Sequence, residues 1–290
     1  MKISEARGIL MAIGGAEERT PESPILKEFV RLAGGKRAKI VVMTVATNFP
    51  EEVGSEYIEV FEKIGVKEVR AIDVANRADA GAKENLDVVA EASGLFFTGG
   101  DQLIITSLMG GTELQKLVNE AYEKGVIIAG TSAGAAMMSN SMILSGDSDE
   151  TPKLGAVEIG PGMDFIVGCM IDTHFSQRGR HGRLLAAVAH YPQDMGIGID
   201  ENTAMIVEKN EFRVMGAGAV TIIDAGGMTY ANTPYVEKGK NLALADVRVH
   251  VLPEGEKFNL SEREMIVPKE AQHRAKRAGA NENEKSDKKK

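Results

Sequence analysis

The chain has 290 residues, of which 43% are hydrophobic and 26% charged, and its formal net charge is −8. This composition fits a globular protein with one sizeable core, and the acidic balance argues against a nucleic-acid partner. The single cysteine, Cys169, excludes an internal disulfide and a cysteine-based metal cluster, and its apolar surroundings predict a buried position. Because we find no secretory signal and no apolar run of about 18 residues, we expect a cytoplasmic protein without a membrane span.

Short apolar segments alternate with longer amphipathic segments through the first half of the chain. The predicted strands are 8–13, 39–44, 68–73, 94–98 and 126–129, and the predicted helices are 25–32, 51–64, 82–92 and 113–124. Strand–helix alternation of this kind predicts a parallel sheet covered by helices on both faces.

The second half is less regular, with a predicted strand over 165–171 and a predicted helix over 176–189. Five short apolar segments follow and are interpreted as an antiparallel extension of the sheet: 196–199, 204–207, 211–215, 219–223 and 247–252. We therefore expect an α/β protein with a three-layer, mostly parallel sheet and an antiparallel C-terminal extension, in one domain over residues 1–268. Residues 269–290 carry eight Lys or Arg against four Asp or Glu and predict a disordered basic tail.

A Gly-x-Ser-x-Gly pattern stands between the last strand of the first half and a run of small residues. Ser132 is its central residue, and a sharp strand-to-helix turn would expose the hydroxyl at the carboxyl end of a parallel strand. The backbone N–H of Ala133 could then stabilise an oxyanion, with a second donor from Gly100 in the turn after strand 94–98. We interpret Ser132 as the nucleophile of a hydrolase that attacks a carbonyl carbon. A glycine-rich packing turn is the alternative.

A serine nucleophile needs a general base, and the chain has five histidines. His174 is the preferred base because it follows a predicted buried strand, whereas His181 lies within a predicted helix. The orienting carboxylate is either Asp172, two residues earlier on the same strand, or Glu201 at the end of another strand. The order Ser, His, Glu matches the class I glutamine amidotransferase-like sheet rather than the α/β-hydrolase order.

An arginine-rich segment follows the histidine. Arg178, Arg180 and Arg183 crowd the start of the predicted helix, where the helix dipole disfavours cations. A substrate carboxylate is a suitable partner for such a cluster, and a solvated, salt-bridged helix start is the alternative.

Taken together, these motifs resemble those of the cyanophycinase family. The matching pieces span most of residues 8–225 and are Ile13-Gly14-Gly15-Ala16-Glu17, Thr98-Gly99-Gly100-Asp101-Gln102, Gly130-Thr131-Ser132-Ala133-Gly134-Ala135, the run Asp172, His174-Phe175, Arg178, Arg180 and Arg183, and Gly198-Ile199-Asp200-Glu201. The resemblance implies a class I glutamine amidotransferase-like, or flavodoxin-like, fold. It also implies a serine-type exopeptidase that hydrolyses cyanophycin, a poly-aspartate with arginine on each β-carboxyl, to β-Asp-Arg.

By this resemblance, the catalytic residues are Ser132 as nucleophile, His174 as base and Glu201 as its orienter. The residues implied to line the substrate pocket are Gln102, Asp172, Thr173, Arg178, Arg180 and Arg183. Asp172 would bind an arginine guanidinium of the polymer, and the arginines its backbone carboxylates. No cofactor or metal is implied, and related proteins are commonly homodimers, to which the methionine-rich helix after Ser132 could contribute surface.

Two positions depart from the family pattern. Thr173 stands where the family usually has Gln, and a shorter hydroxyl cannot make the contacts of an amide. His181 stands where an apolar residue is more common. Two other functions stay open: the related α-aspartyl dipeptidase activity, which the arginine run disfavours, and a non-catalytic binding protein on the same sheet.

Overall fold

The computed structural model describes residues 8–146 and 151–267. Its α-helices are α1 Pro24–Leu32, α2 Pro50–Ile64, α3 Lys83–Ala90, α4 Gln102–Met109, α5 Glu113–Glu123, α6 Ala133–Ala136 and α7 His181–His190. Its strands are β1 Ile9–Ile13, β2 Lys39–Met43, β3 Glu68–Ile72, β4 Gly94–Phe97, β5 Ile127–Thr131, β6 Ser141–Gly146, β7 Val157–Pro161, β8 Cys169–Thr173, β9 Met195–Ile199, β10 Thr203–Glu208, β11 Glu211–Gly216, β12 Ala219–Asp224, β13 Tyr230–Ala231, β14 Leu244–Ala245, β15 Arg248–Pro253, β16 Lys257–Asn259 and β17 Glu264–Met265.

A large central sheet contains the five strands of the first half. Its order is β17-β16-β11-β10-β1-β5-β4-β2-β3. The pairings from β1 through β5, β4 and β2 to β3 are parallel, and β10, β11, β16 and β17 are joined antiparallel on the other side of β1. The predicted α/β class, with a large central sheet flanked by helices, is confirmed.

Alternation along the buried strands gives the central sheet two apolar faces. On β1, Met11 and Ile13 pack against α1 and α2, whereas Leu10 and Ala12 face the opposite way. An aromatic cluster including Phe29, Phe61 and Phe96 fills the first face. The other face shares one core with a second sheet, and this shared core lies beneath the candidate site.

The second sheet was not predicted as a separate unit. Its order is β15-β12-β9-β8, with β8 and β9 parallel and the other pairings antiparallel. The prediction that all the late strands extend one sheet was therefore wrong for β9, β12 and β15. The apolar pattern of a strand predicts that it is buried but does not identify the sheet it joins.

Two predicted elements begin later in the structure than the sequence indicates. The strand predicted over 165–171 is β8, which begins only at Cys169, because the backbone N–H groups of Phe165 and Ile166 bond to Met138 instead. The helix predicted from 176 is α7, which begins at His181, because Gly179 has φ of +61° and the chain turns there.

Helix α4 was not predicted, although Asp101 caps it by accepting a hydrogen bond from the Leu103 N–H at 2.8 Å. The methionines after Ser132 do not form a surface helix: α6 is a single turn, and Met137 and Met138 are fully buried. Cys169 is buried as predicted.

None of the helices in the described ranges is long and apolar enough to cross a membrane. The predicted basic tail, 269–290, lies outside the described residues, as does His273 within it.

Candidate active site

Ser132 lies in a strained turn between β5 and α6. Its backbone has φ of +52° and ψ of −111°, a conformation that non-glycine residues adopt at a cost of about 1–3 kcal/mol. A Cβ atom at Gly130 would lie 2.2 Å from the carbonyl oxygen of Gly134, so glycine is required where the turn closes on itself. The serine hydroxyl is thereby presented at the carboxyl end of β5.

His174 and Glu201 lie next to this serine. His174 follows β8 and also has a positive φ, of +50°. Its Nε2 lies 3.0 Å from Ser132 Oγ, and its Nδ1 lies 2.6 Å from Glu201 Oε1. Glu201 comes from the turn after β9. With Nδ1–H donating to the carboxylate, Nε2 is free to accept the serine proton, which is the geometry needed for a general base.

Of the two candidate carboxylates, Glu201 therefore contacts the histidine, and Asp172 does not. Two residues that are two apart on an extended strand point to the same side, but Asp172 and His174 do not. Strand β8 ends at Thr173. Because His174 has a left-handed backbone conformation, its imidazole does not follow the alternation of side chains between the two faces of the strand.

The other histidines of the described residues are elsewhere. His181 begins α7, with its ring 4.5 Å from that of Phe175. His190 ends the same helix and is exposed, and His250 lies in β15 beside Phe258.

The two predicted oxyanion donors flank the serine. Ala133 is the first residue of α6, so its N–H precedes any intrahelical bond. Gly100 lines the same cavity as Ser132 and has φ of +142°. A Cβ at Gly100 would fall 1.8 Å from the carbonyl oxygen of Ala46, so a side chain cannot be accommodated there.

A cavity of about 450 Å³ opens beside the serine and the histidine. All six residues predicted to line a substrate pocket line it: Gln102, Asp172, Thr173, Arg178, Arg180 and Arg183. The sequence interpretation missed the wall that residues 143–146 of β6 contribute. The apolar residues Met142 to Leu144 are a signal for this strand, but the segment is short and irregular.

Gln102 holds that wall in place. Its Nε2 donates to the carbonyl oxygens of Ile143 and Leu144, at 2.8 and 2.9 Å. The register of β6 against β7 shifts between Ile143 and Ser145, so two adjacent carbonyls can face one amide. The amide nitrogen of Gln102 is thus engaged by the chain itself.

Asp172 is also engaged by the chain. It is 1% exposed, and Arg183 binds it through two hydrogen bonds, Nε to Oδ2 at 2.8 Å and Nη2 to Oδ1 at 2.6 Å. Arg180 Nη1 lies 3.2 Å from Oδ1 and donates to the Thr173 carbonyl at 2.6 Å. Both carboxylate oxygens therefore contact the protein's own guanidinium groups.

Arg178, Arg180 and Arg183 give their side of the cavity a positive charge. Burial lowers the pKa of Arg180, with Asp172 opposing that shift and the neighbouring arginines adding to it. Arg180 Nε is buried without a hydrogen-bond partner among the described residues. Arg178 is exposed and forms no ion pair within those residues. With three guanidinium groups and one buried carboxylate, this side of the cavity has a net positive charge. It is therefore suited to binding anionic groups.

A serine on a strand-to-helix turn, with a histidine and a glutamate in line behind it, has the geometry of a serine hydrolase. Residues 9–215 match peptidase family S51, and the chain belongs to this family. It is a peptidase.

Three relatives described as cyanophycinases are similar over most of this chain. The protein of Synechococcus elongatus is 38% identical over 256 residues, covering 88% of this chain and 80% of its own. Those of Geminocystis herdmanii and Trichormus variabilis are both 36% identical, covering 87% and 89% of this chain and 94% and 87% of their own. A crystal structure of a peptidase from an acI-B1 Actinobacterium has a TM-score of 0.64 at 21% identity, covering 87% of this chain and 96% of that one, and shows the shared fold.

Proposed function

We propose that the protein is a cyanophycinase, a serine-type exopeptidase that hydrolyses cyanophycin to β-Asp-Arg dipeptides through an acyl-enzyme. The contact of His174 with both Ser132, at 3.0 Å, and Glu201, at 2.6 Å, carries this proposal. The substrate assignment is supported by the relatives described as cyanophycinases and by the three arginines of the adjoining cavity.

The proposed reaction follows from the order of these contacts. Ser132 Oγ attacks the carbonyl carbon of an aspartyl peptide bond while His174 Nε2 takes its proton. The N–H groups of Gly100 and Ala133 stabilise the oxyanion. His174 then gives the proton to the leaving amine, and the C–N bond breaks to leave the acyl-enzyme. A water molecule, deprotonated by the same nitrogen, attacks the acyl carbon, and His174 returns this proton to Ser132 Oγ as the acyl product leaves. Glu201 holds the imidazole and stabilises its cationic form.

The cavity supports a role for its arginines as ligands of the free carboxylates of the polymer, with Gln102 and Thr173 as further pocket residues. These carboxylates belong to the attached arginines rather than to the backbone, because both carboxyl groups of each aspartate within the chain are in amide bonds. The role of Asp172 is narrower than the resemblance implies. Its two oxygens are bound by Arg180 and Arg183, so we propose that it orients these arginines and that polymer carboxylates meet the arginines directly.

The proposal extends to the layers of the fold, the oligomeric state and the cellular location. We infer the three-layer arrangement of the class I glutamine amidotransferase-like fold over residues 1–268, a homodimer and a cytoplasmic location. Light scattering that gives the mass of one chain would contradict the dimer.

The test is to incubate the protein with insoluble cyanophycin and to identify the soluble products by mass spectrometry. Wild type should release β-Asp-Arg, and Ser132→Ala should retain only residual activity, since loss of a nucleophile can cost on the order of 10⁶ in turnover. Ser55→Ala, which removes an exposed hydroxyl from α2, is the matched control and should behave as wild type.

Labelling with a fluorophosphonate separates the alternatives. A labelled protein that cleaves α-aspartyl dipeptides in preference to cyanophycin would be an α-aspartyl dipeptidase. A protein that is neither labelled nor active would be a binding protein on a peptidase fold.

A further inference from the structure

The chain segment at the end of β1, residues 13–17, contacts each part of the candidate active site. Three successive carbonyl oxygens of this β1-end segment accept backbone N–H groups, from Ser132 at 3.0 Å, His174 at 2.8 Å and Asn202 at 2.8 Å. Asn202 is the residue after Glu201. One short segment therefore sets the relative positions of three elements that are far apart in the sequence.

The last residue of this segment, Glu17, is a buried carboxylate. It is 5% exposed, and it accepts hydrogen bonds from the hydroxyls of Tyr57 and Thr131. Burying a carboxylate costs several kcal/mol unless hydrogen bonds replace its water, so a buried group at this position requires such partners. Neither the substrate cavity nor the proposed proton transfer involves Glu17.

One of these partners connects Glu17 directly to the nucleophile. Thr131 is the final residue of β5, is 2% exposed and precedes Ser132. The hydrogen bond from its hydroxyl to Glu17 therefore fixes the backbone immediately before the strained serine. Positive φ at a non-glycine residue persists only where the surroundings hold it.

We propose that Glu17 is a positioning residue for the peptidase reaction, which through Thr131 holds Ser132 Oγ within reach of His174. This inference rests on the proposed function. The rate of a catalysed step depends steeply on the distance between the reacting groups, because a displacement of about 1 Å can lower it on the order of 10²-fold. A residue that only stabilised the fold would change the folded fraction and not the rate of each folded molecule.

The experiment compares Thr131→Val and Glu17→Gln with wild type. Thr131→Ser should keep the hydroxyl and restore the rate. Thr44→Val is the matched control. Thr44 directly follows the parallel strand β2 and is 1% exposed. Its hydroxyl also donates a hydrogen bond, in this case to the carbonyl oxygen of Ile72. The folded fraction is measured by circular dichroism, since the chain has no tryptophan.

Three quantities are measured for each variant. They are the rate of fluorophosphonate labelling of Ser132 and kcat on solubilised cyanophycin, both per folded molecule, and KM for the same substrate. Thr131→Val and Glu17→Gln should lower labelling and kcat by about 10- to 100-fold with KM changed less than threefold. The double variant should lose less than the product of the two single effects, as expected of groups that act through one contact.

Rates within threefold of wild type in both single variants, or an equal loss in Thr44→Val, would overturn the inference while the proposed function stands. A wild-type protein that is labelled but releases no dipeptide would overturn the substrate assignment, and the labelling rates would still decide the role of Glu17. A wild-type protein that is not labelled would overturn both.

Discussion

Among individual residues, Asp172 has the most demanding environment. Its carboxylate is buried and lies against the guanidinium groups of Arg180 and Arg183, and the Arg183 side chain is 8% exposed. A buried ion pair of this kind need not stabilise the fold relative to apolar residues, but removing one partner leaves an uncompensated buried charge. The arrangement explains why an acid on a buried strand is tolerated in a cavity suited to anionic groups.

We expect Asp172→Asn to destabilise the protein by about 3–5 kcal/mol, because Arg183 stays buried without its counter-charge. The measurement is urea-induced unfolding followed by circular dichroism. Asp87→Asn is the control, since Asp87 and its partner Lys83 are both exposed and such pairs contribute about 0–1 kcal/mol. Equal losses in the two variants would show that the Asp172 carboxylate does not balance the buried arginines.

At the scale of elements, the β1-end segment needs glycine where it passes the histidine. Gly15 has φ of +94°, and a Cβ there would lie 2.3 Å from Cε1 of His174 and 2.4 Å from its Nε2. Nε2 is the atom that faces the serine. A side chain at this position must therefore displace the imidazole or the segment itself.

Gly15→Ala should lower activity on cyanophycin by at least about 100-fold, because the displaced imidazole no longer reaches Ser132. Gly35→Ala separates this collision from backbone strain: Gly35 also has a positive φ, of +66°, but nothing lies within 4 Å of its missing Cβ. That control should lose about 1–2 kcal/mol of stability and keep its activity per folded molecule. Similar activities in the two variants would contradict the collision.

The elements also show what the sequence can and cannot predict. Strands β1 to β5 and helices α1, α2, α3 and α5 follow from local periodicity. The turn at Ser132 is also predictable, because the small residues that permit it are adjacent in the chain. Helix α4 escapes prediction since its first five residues, Gln-Leu-Ile-Ile-Thr, carry an apolar, β-branched pattern that suits a strand equally well.

The partner of the histidine could not be chosen from the sequence either. Asp172 is closer along the chain, but the left-handed turn at His174 and the separate sheet that holds β8 and β9 bring Glu201 to its Nδ1. Both features depend on contacts between distant segments. The buried bonds of Glu17 are missed for the same reason, since Tyr57 and Thr131 lie 40 and 114 residues away from it.

At the scale of the whole molecule, one apolar core joins the two sheets. Side chains of β1, β4 and β5 pack in the same cluster as those of β8, β9 and β12. Cys169, at the start of β8, belongs to this cluster and is fully buried, and burial raises the pKa of its thiol to about 12. Strand β8 also carries Asp172 and leads into His174, so the reactivity of this thiol reports on the strand that supports the site.

We expect the thiol of the native protein at pH 8 to react with a disulfide reagent only as fast as the whole molecule unfolds. A buried thiol with a raised pKa offers almost no thiolate, and the shared core prevents β8 from opening alone. Urea should raise the reaction rate with the same dependence as global unfolding seen by circular dichroism, and Cys169→Ala supplies the background. The raised pKa also determines how the free energy of unfolding changes with pH. Between about pH 9 and pH 12 the unfolded chain loses the thiol proton while the folded chain keeps it, so the free energy of unfolding falls as pH rises. In Cys169→Ala it should fall less. A native reaction much faster than unfolding would mean that β8 opens separately from the central sheet, and the geometry around His174 would then be held by the β1-end segment rather than by the common core.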